Sequence, residues 1–171
     1  AAVDEAVKYA DSKGVLMVHA AGNDGENLAE KPSFPTPAYL SGGRPNNWIE
    51  VGASSWKGLD SLAASFSNYG KAQVDVFAPG VDILVPAPEG EYQITTGTSV
   101  AAAEVSGIVA LLLERNPKLT PADIRRILTA SAKRLAPGER DDNFGSGLID
   151  PLQALQLADP RIATTTPPRR R

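Results

Sequence analysis

Residues 15–20 read VLMVHA and follow directly after residues 2–13, a stretch with helical periodicity. In that stretch Val3 and Val7 share one face, and Gly14 supplies the stop at its C-terminal end. A nearly continuous apolar strand directly after a helix is typical of a strand buried on both faces of a parallel sheet. This junction therefore predicts an α/β fold with a mainly parallel sheet.

Four further segments are typical of strands, because each is a short apolar run bounded by turn formers. They are residues 48–53, 74–78, 81–85 and 92–95. The last of them follows a turn and is predicted to pair back with its predecessor. Residues 26–47, in contrast, contain four prolines and no periodicity, so we expect them to be irregular.

Two helices are predicted in the second half of the chain. The first runs from Ser99 to about Arg115 and is apolar all round, which is typical of a buried helix. The second has Thr120 as its N-cap and Pro121 at its first position. Its inward-facing stripe consists of Ile124, Ile127, Leu128 and Leu135.

The inventory of reactive side chains is narrow, since the 171 residues include no cysteine and one histidine, His19. Disulfides, thiol chemistry and multi-histidine metal sites are therefore excluded. Residues 1–114 carry 6 basic and 14 acidic side chains, and the basic remainder is spread over helix faces and a short tail. This spread favours a solvated surface over a nucleic-acid partner. The longest apolar run, residues 108–113, is too short for a membrane span.

Three segments predict a reaction centre, because ligand sites of open α/β sheets lie where strands reach their carboxyl ends. They are residues 20–23, 77–80 and 97–99. Ser99 is the candidate nucleophile. At the start of a helix, unpaired backbone N–H groups and the helix dipole can stabilise the negative oxygen that forms when a serine attacks a carbonyl. Asn23 is the natural second donor to that oxygen.

Alone, Ser99 also fits a plain N-cap and Asn23 a turn former. With their flanks, the motifs resemble the subtilisin-like serine peptidases in order and spacing. The matching segments are 18–25 (VHAAGNDG), 66–70 (FSNYG), 76–83 (VFAPGVDI), 97–107 (GTSVAAAEVSG) and 143–150 (NFGSGLID). The resemblance covers about residues 1–157 and leaves 158–171 as a polar linker or disordered tail. It implies the family's three-layer architecture, a mainly parallel sheet flanked by helices.

The same resemblance implies a function. The chain would belong to a serine endopeptidase that hydrolyses polypeptides through an acyl-Ser99 intermediate. The Asn23 side chain and the Ser99 backbone N–H would form the oxyanion hole. Ala20, Ala21 and Gly22 would form one wall of the primary specificity pocket. A secreted or periplasmic location is a further expectation from the family.

The triad histidine and aspartate are missing from this chain. The family takes them from a His-Gly-Thr and an Asp-x-Gly motif near the start of the domain, and neither motif occurs here. His19 does not replace them, because it lies four residues before Asn23, roughly 13 Å down an extended strand at about 3.3 Å per residue. We interpret it as a core histidine. Glu104 lies about 140° around the helix from Ser99 and cannot serve as the base.

These absences predict the C-terminal half of a catalytic domain, incomplete at its N-terminal side. Such a chain should be inactive in isolation, should pair with the missing N-terminal half, and should expose a strand edge that promotes self-association. An inactive remnant that acts as a binding or assembly module is the main alternative, mildly favoured by Ala103 and Glu104 where the family usually has proline and histidine. An unrelated α/β-hydrolase is less favoured, because its nucleophile elbow needs glycine where this chain has Ala101.

No cofactor is evident from the sequence, and calcium enters only as an expectation from the family. Asp24 with Glu26, or Asp141 with Asp142, could supply ligands. Solvated loops are the favoured interpretation of both pairs.

Overall fold

A computed structural model describes residues 2–56, 62–134, 144–159 and 161. The helices and strands occur in the order α1 (Ala2–Ser12), β1 (Met17–Ala20), β2 (Trp48–Ser54), β3 (Val76–Pro79), β4 (Ile83–Pro86), a 3-10 turn (Pro88–Gly90), β5 (Tyr92–Thr95), α2 (Thr98–Arg115), α3 (Pro121–Ser131) and α4 (Pro151–Ala158). The predicted elements are present, with bounds shifted by one or two residues at most ends. Residues 26–47 form no regular element, as expected.

The first three strands form a parallel sheet in the order β1-β2-β3, which confirms the sheet predicted from residues 15–20. Along β3, Val76 and Ala78 pack into one hydrophobic cluster with the helices, whereas Phe77 packs into a second cluster with Leu28 and Leu62. The sheet is therefore covered on both faces. β2 is buried throughout, while β1 is only half-buried and pairs with β2 alone, so β1 is an edge strand.

β4 and β5 form a separate antiparallel hairpin, as predicted for residues 81–85 and 92–95. Leu84 lies opposite Ile94 across the hairpin, and Pro86 opposite Tyr92. These four side chains are exposed on the outer face. The hairpin leads directly into α2, and so places the start of that helix beside the sheet.

α2 packs against all three strands of the sheet and against α4. The prediction that this helix is buried all round was wrong, because one side is open. Leu111 is 47% exposed, and Ala103, Gly107 and Ala110 are exposed with it. A helix of this composition needs neighbours on every side, and the described residues supply them only on the sheet and α4 sides.

α3 begins as predicted, with a capping box in which the Thr120 side chain accepts from the Asp123 backbone N–H and Asp123 returns the contact. Ile124, Ile127 and Leu128 are buried; Leu135 lies outside the described residues. The expectation that 158–171 form a polar linker or disordered tail was wrong at its first two residues, because Ala158 ends α4 and is buried. Asp159 is buried and ion-paired with Arg115 at the end of α2.

The proposed tail beyond position 161 lies outside the described residues. Among the residues that are described, no helix combines the length and the apolar composition that crossing a bilayer requires.

Candidate active site

The three predicted segments meet at the carboxyl end of β3. The Gly97 backbone N–H donates to the Gly80 carbonyl at 2.8 Å, which holds the start of α2 against the residue that follows β3. The Thr98 backbone N–H donates to Asn23 Oδ1 at 2.9 Å and so ties the same helix start to the loop after β1. Residues 20–23, 77–80 and 97–99 thus form one cluster at one edge of the sheet, where sequence placed them.

Polar groups of Ser99 and Asn23 converge beside Gly97. A Cβ built on Gly97 would stand 3.2 Å from Ser99 Oγ, 3.6 Å from Asn23 Nδ2 and 3.8 Å from Ser99 N. One small volume is therefore within 4 Å of a hydroxyl and two N–H donors, and glycine keeps it free. Ser99 and Asn23 are both exposed, so a substrate carbonyl can reach them. Ser99 lies in the first turn of the 18-residue α2, at the positive end of its dipole.

The Asn23 side chain is oriented by Thr98. Asn23 Oδ1 accepts from both the backbone N–H and the hydroxyl of Thr98, at 2.9 and 3.0 Å. Because an amide has its acceptor and its donors on different atoms, this pairing leaves Nδ2 as a donor. Within the described parts of the chain, neither Asn23 Nδ2 nor the Ser99 backbone N–H has a hydrogen-bond acceptor.

Thr98 orients a candidate site residue, Asn23, and sequence reasoning missed it. It is buried at the start of α2, and its hydroxyl also accepts from the Gly22 backbone N–H at 3.2 Å. The one signal in the sequence was its place between Gly97 and Ser99. That position cannot reveal a bond to a side chain 75 residues earlier.

The predicted pocket wall is divided between the two faces of β1. Ala21 is fully buried and packs into the cluster that contains Leu28 and Phe77. Ala20 and Gly22 are half-buried. Ala20, the last residue of β1, packs against the cluster that contains Val76 and Ala78, whereas Gly22 lies beyond the strand and has a φ of 103°. The assignment of these residues to a specificity pocket stays a prediction.

His19 is partly buried rather than fully buried, with 27% of its side chain exposed. Its Nδ1 lies 2.8 Å from Glu50 Oε1, and its ring packs 5.0 Å from the ring of Trp48. Glu50 is buried on β2 directly beside His19 in the register and also accepts from Trp48 Nε1. These contacts give His19 a structural role in joining β1 to β2.

Glu104 is half-buried on α2, and burial raises the pKa of its carboxyl above the usual range. A calcium site needs six to eight oxygen ligands, and a contribution of Asp24 and Glu26 to such a site stays a prediction. Asp24 Oδ2 already accepts from Asn68, and Glu26 pairs with Lys31. Among the described residues, no group of three or more His, Cys, Asp or Glu could hold a metal ion. Asp141 and Asp142 lie outside these residues.

Comparisons with known proteins show which family the chain is similar to. Residues 1–147 match the model of the subtilase family. M-protease of Shouchella clausii is 37% identical over 151 residues, which cover 88% of this chain and 35% of that protein. Subtilisin BL of Lederbergia lenta is 36% identical over 150 residues, or 88% of this chain and 49% of that protein.

A solved structure described as the structural basis of subtilase cytotoxin SubAB assembly is also similar. It superposes with a TM-score of 0.74 at 27% identity, covering 91% of this chain and 52% of that one. This likeness confirms the subtilisin-like α/β fold predicted from the sequence. The chain spans between about a third and a half of the length of the curated relatives it matches.

Proposed function

The chain belongs to the subtilase family of peptidases, and on that basis we propose that it forms the nucleophile-bearing part of a serine endopeptidase domain. The observation that carries the proposal is the convergence of Ser99 Oγ, Ser99 N and Asn23 Nδ2 around one point beside Gly97. A hydroxyl flanked by two unused N–H donors is the arrangement that acyl transfer to serine requires.

In the proposed reaction, Ser99 Oγ attacks the carbonyl carbon of a peptide bond and gives its proton to a base. The carbonyl oxygen becomes an oxyanion and accepts from the Ser99 backbone N–H and from Asn23 Nδ2. The C–N bond then breaks, the amine leaves with the proton, and the acyl group stays on Ser99. In the second half of the reaction, water gives a proton to the base and attacks the carbonyl carbon of the acyl-Ser99 ester. The ester C–O bond then breaks, Ser99 Oγ takes the proton back, and the acid is released.

In this proposal the base and its orienting carboxylate come from outside these 171 residues. His19 is bonded to Glu50 in mid-strand, and Glu104 lies on another side of α2 than Ser99. A histidine and an aspartate from an N-terminal half of the domain would complete the triad. Without them the Ser99 hydroxyl is a weak nucleophile, so the chain alone is inactive. Ala20 and Gly22, with the backbone of Ala21, would contribute one wall of the pocket for the residue before the scissile bond. We also propose a secreted or periplasmic location, which the family resemblance alone supports.

A fluorophosphonate probe, which labels activated serines, tests the proposal. We expect no labelling of the 171-residue chain alone, and Ser99-dependent labelling with peptide hydrolysis once it is extended by the residues encoded upstream of Ala1. Ser99→Ala is the control, because it removes only the hydroxyl.

Two results would count against the proposal. Rapid labelling of the chain alone would mean that it holds its own base. An extended protein that carries both triad motifs and still neither labels nor cleaves peptides would favour the alternative of an inactive binding module.

A further inference from the structure

The loop that carries Asn23, residues 21–26, has no regular secondary structure, yet it must hold an exposed side chain in a fixed place. It is aligned along residues 66–69 by three backbone hydrogen bonds. The Asn68 N–H donates to the Gly22 carbonyl at 2.9 Å, and the Tyr69 N–H to the Glu26 carbonyl at 3.0 Å. In the opposite direction, the Gly25 N–H donates to the Phe66 carbonyl at 2.7 Å.

The Asn68 side chain binds this loop from within. Its Oδ1 accepts from the backbone N–H groups of Asp24 and Glu26, at 3.1 and 2.9 Å. Its Nδ2 donates to the Ala21 carbonyl at 2.9 Å and to Asp24 Oδ2 at 3.3 Å. Asn68 is 1% exposed; its bond to the Ala21 carbonyl is buried, and the other three contacts are partly buried. The amide thus uses two acceptor sites and two donors on a single loop.

We propose that Asn68 is a positioning residue for Asn23: it fixes the loop backbone on both sides of Asn23, so that Nδ2 stays beside Ser99 Oγ. The inference rests on the proposed function in that Asn23 is taken as the oxyanion donor. Asn68 itself reaches neither Ser99 nor the space beside Gly97, and acts only through the loop.

Two anchors together determine where Asn23 Nδ2 points. Thr98 holds the side-chain oxygen, and Asn68 holds the backbone through residues 21, 22, 24 and 26. The fit at the second anchor is tight, because a Cβ on Gly22 would come within 2.5 Å of Asn68 Nδ2. Gly22 also has a φ of 103°, which favours glycine. Loss of either anchor would let the exposed amide move.

Asn68 is itself connected to the rigid part of the molecule. The hydroxyl of the preceding Ser67 accepts from the Ala53 backbone N–H on β2 at 2.9 Å and donates to the Asn68 carbonyl at 3.0 Å. A chain of hydrogen bonds therefore runs from the buried strand β2 through Ser67 and Asn68 to the loop. No other side chain of this length supplies two acceptor sites and two donors: aspartate lacks the donors, and serine has a single donor.

Hydrogen exchange on the chain alone tests the inference without any need for activity. The Thr98 amide reports where Asn23 is, because it donates to Asn23 Oδ1. In Asn68→Ala we expect the amides of Asp24, Glu26 and Thr98 to exchange at least about tenfold faster, since each hydrogen bond protects its own amide. Asn27→Ala is the matched control, because among the described residues the bonds of the Asn27 side chain go to Glu30 and Ala29 in the next turn.

A merely structural role predicts a different pattern. In that case Asp24 and Glu26 would lose protection while Thr98 kept it, and the inference would be overturned. The same holds if Asn68→Ala accelerates Thr98 exchange in the Asn23→Ala background as much as in the wild-type chain. If Asn68 acts through Asn23, its effect on Thr98 must disappear once the Asn23 side chain is gone.

In an extended protein that is active, kinetics can measure the same double-mutant cycle of Asn68→Ala and Asn23→Ala. Asn68→Ala should lower kcat by about tenfold with KM little changed, because misplacing a catalytic donor by an ångström can cost up to about a hundredfold. Adding it to Asn23→Ala should cost almost nothing further; additive losses would refute a positioning role. The exchanged pair Asn68→Asp with Asp24→Asn, which restores a donor and an acceptor between the two side chains, should recover part of the rate. If the extended protein has no activity, the proposed function fails, and hydrogen exchange still decides the role of Asn68.

Discussion

The polar groups at the two ends of β3 differ in whether they already have hydrogen-bond partners. At its N-terminal end, Asp75 is buried with both oxygens bonded. Oδ1 accepts from Arg125 Nε and Nη2 at 3.0 and 2.8 Å, and Oδ2 accepts from Arg44 and from the Glu50 backbone N–H. At its C-terminal end, the Ser99 N–H and Asn23 Nδ2 have no acceptor among the described residues.

This difference separates polar groups that hold the fold from those available for chemistry. A buried carboxylate with every lone pair bonded has nothing left to offer a substrate, and its removal leaves its partners uncompensated. Exposed N–H donors without a protein acceptor cost the fold little free energy, because water solvates them. They become valuable when a substrate places a developing negative charge between them, because they are already oriented. The two ends of one strand should therefore respond differently to mutation.

The largest expected effect is on stability, from Asp75→Ala. Removing one partner from a buried, bonded ion pair costs about 3–5 kcal/mol. Here it would leave Arg44 and Arg125 facing each other, and the Glu50 N–H buried without an acceptor. Denaturant unfolding of the chain should show the loss in the free energy of unfolding.

Asp11→Ala, which removes an exposed carboxylate at the end of α1, is the control and should shift stability by less than about 0.5 kcal/mol. In an active extended protein, the molecules of Asp75→Ala that remain folded should label at Ser99 at the wild-type rate. A large fall in that rate at unchanged stability would erase the distinction between the two ends.

In the same extended protein, Asn23→Ala should do the opposite of Asp75→Ala: it should lower activity strongly and stability only slightly. Loss of one oxyanion donor lowers kcat by about a hundred- to a thousandfold, the value measured for subtilisin. Stability should fall by only about 1 kcal/mol, the net contribution of a hydrogen bond, since Asn23 is exposed.

Asn23→Asp separates the two functions of this side chain. It keeps an acceptor for Thr98 but replaces the donor with a negative charge, so the fold should survive while kcat falls at least as far as in Asn23→Ala. Turnover at the wild-type level in either variant would remove Asn23 from the site.

The sequence predicted the Ser99 end of β3 better than the Asp75 end. Ser99 and Asn23 lie in contiguous motifs at the ends of predicted elements, so position along the chain was enough to place them together. Asp75 carries no such signal, because its partners Arg44 and Arg125 are 31 and 50 residues away. A charged residue just before a strand gives the same sequence pattern whether or not it has an ion-pair partner in the folded chain.

Helix burial was predicted poorly for a related reason. The composition of α2 predicts neighbours on all sides, but it does not say which segment provides them. Leu111 and Gly107 are exposed, and none of the described residues covers them. Thr98 and Asn68 were missed because their roles depend on bonds to a loop 75 and about 44 residues earlier. Periodicity and motifs report local order, whereas these contacts exist only after folding.

The smallest expected effect concerns Asp159, which is ion-paired like Asp75 but with partners that face solvent. Arg161 donates to it at 2.8 and 3.0 Å, and Arg115 also contacts it. The hydrogen bonds from Arg161, with those from Arg115, hold the pKa of the Asp159 carboxyl well below its usual range. The unfolded chain therefore binds this proton more readily than the folded chain does.

Asp159 consequently stabilises the fold above about pH 4, the ordinary pKa of an aspartate, and this contribution is lost as the pH falls below that value. Asp159→Asn should flatten the acid side of the plot of unfolding free energy against pH, and leave its slope near neutral pH unchanged. The absolute change should be small, because Arg115 and Arg161 are well exposed and their attraction is screened. An equally steep acid limb in the variant would show that Asp159 takes no part in it. High salt should reduce the contribution of Asp159 more than that of Asp75, because the arginine partners of Asp159 are the more exposed.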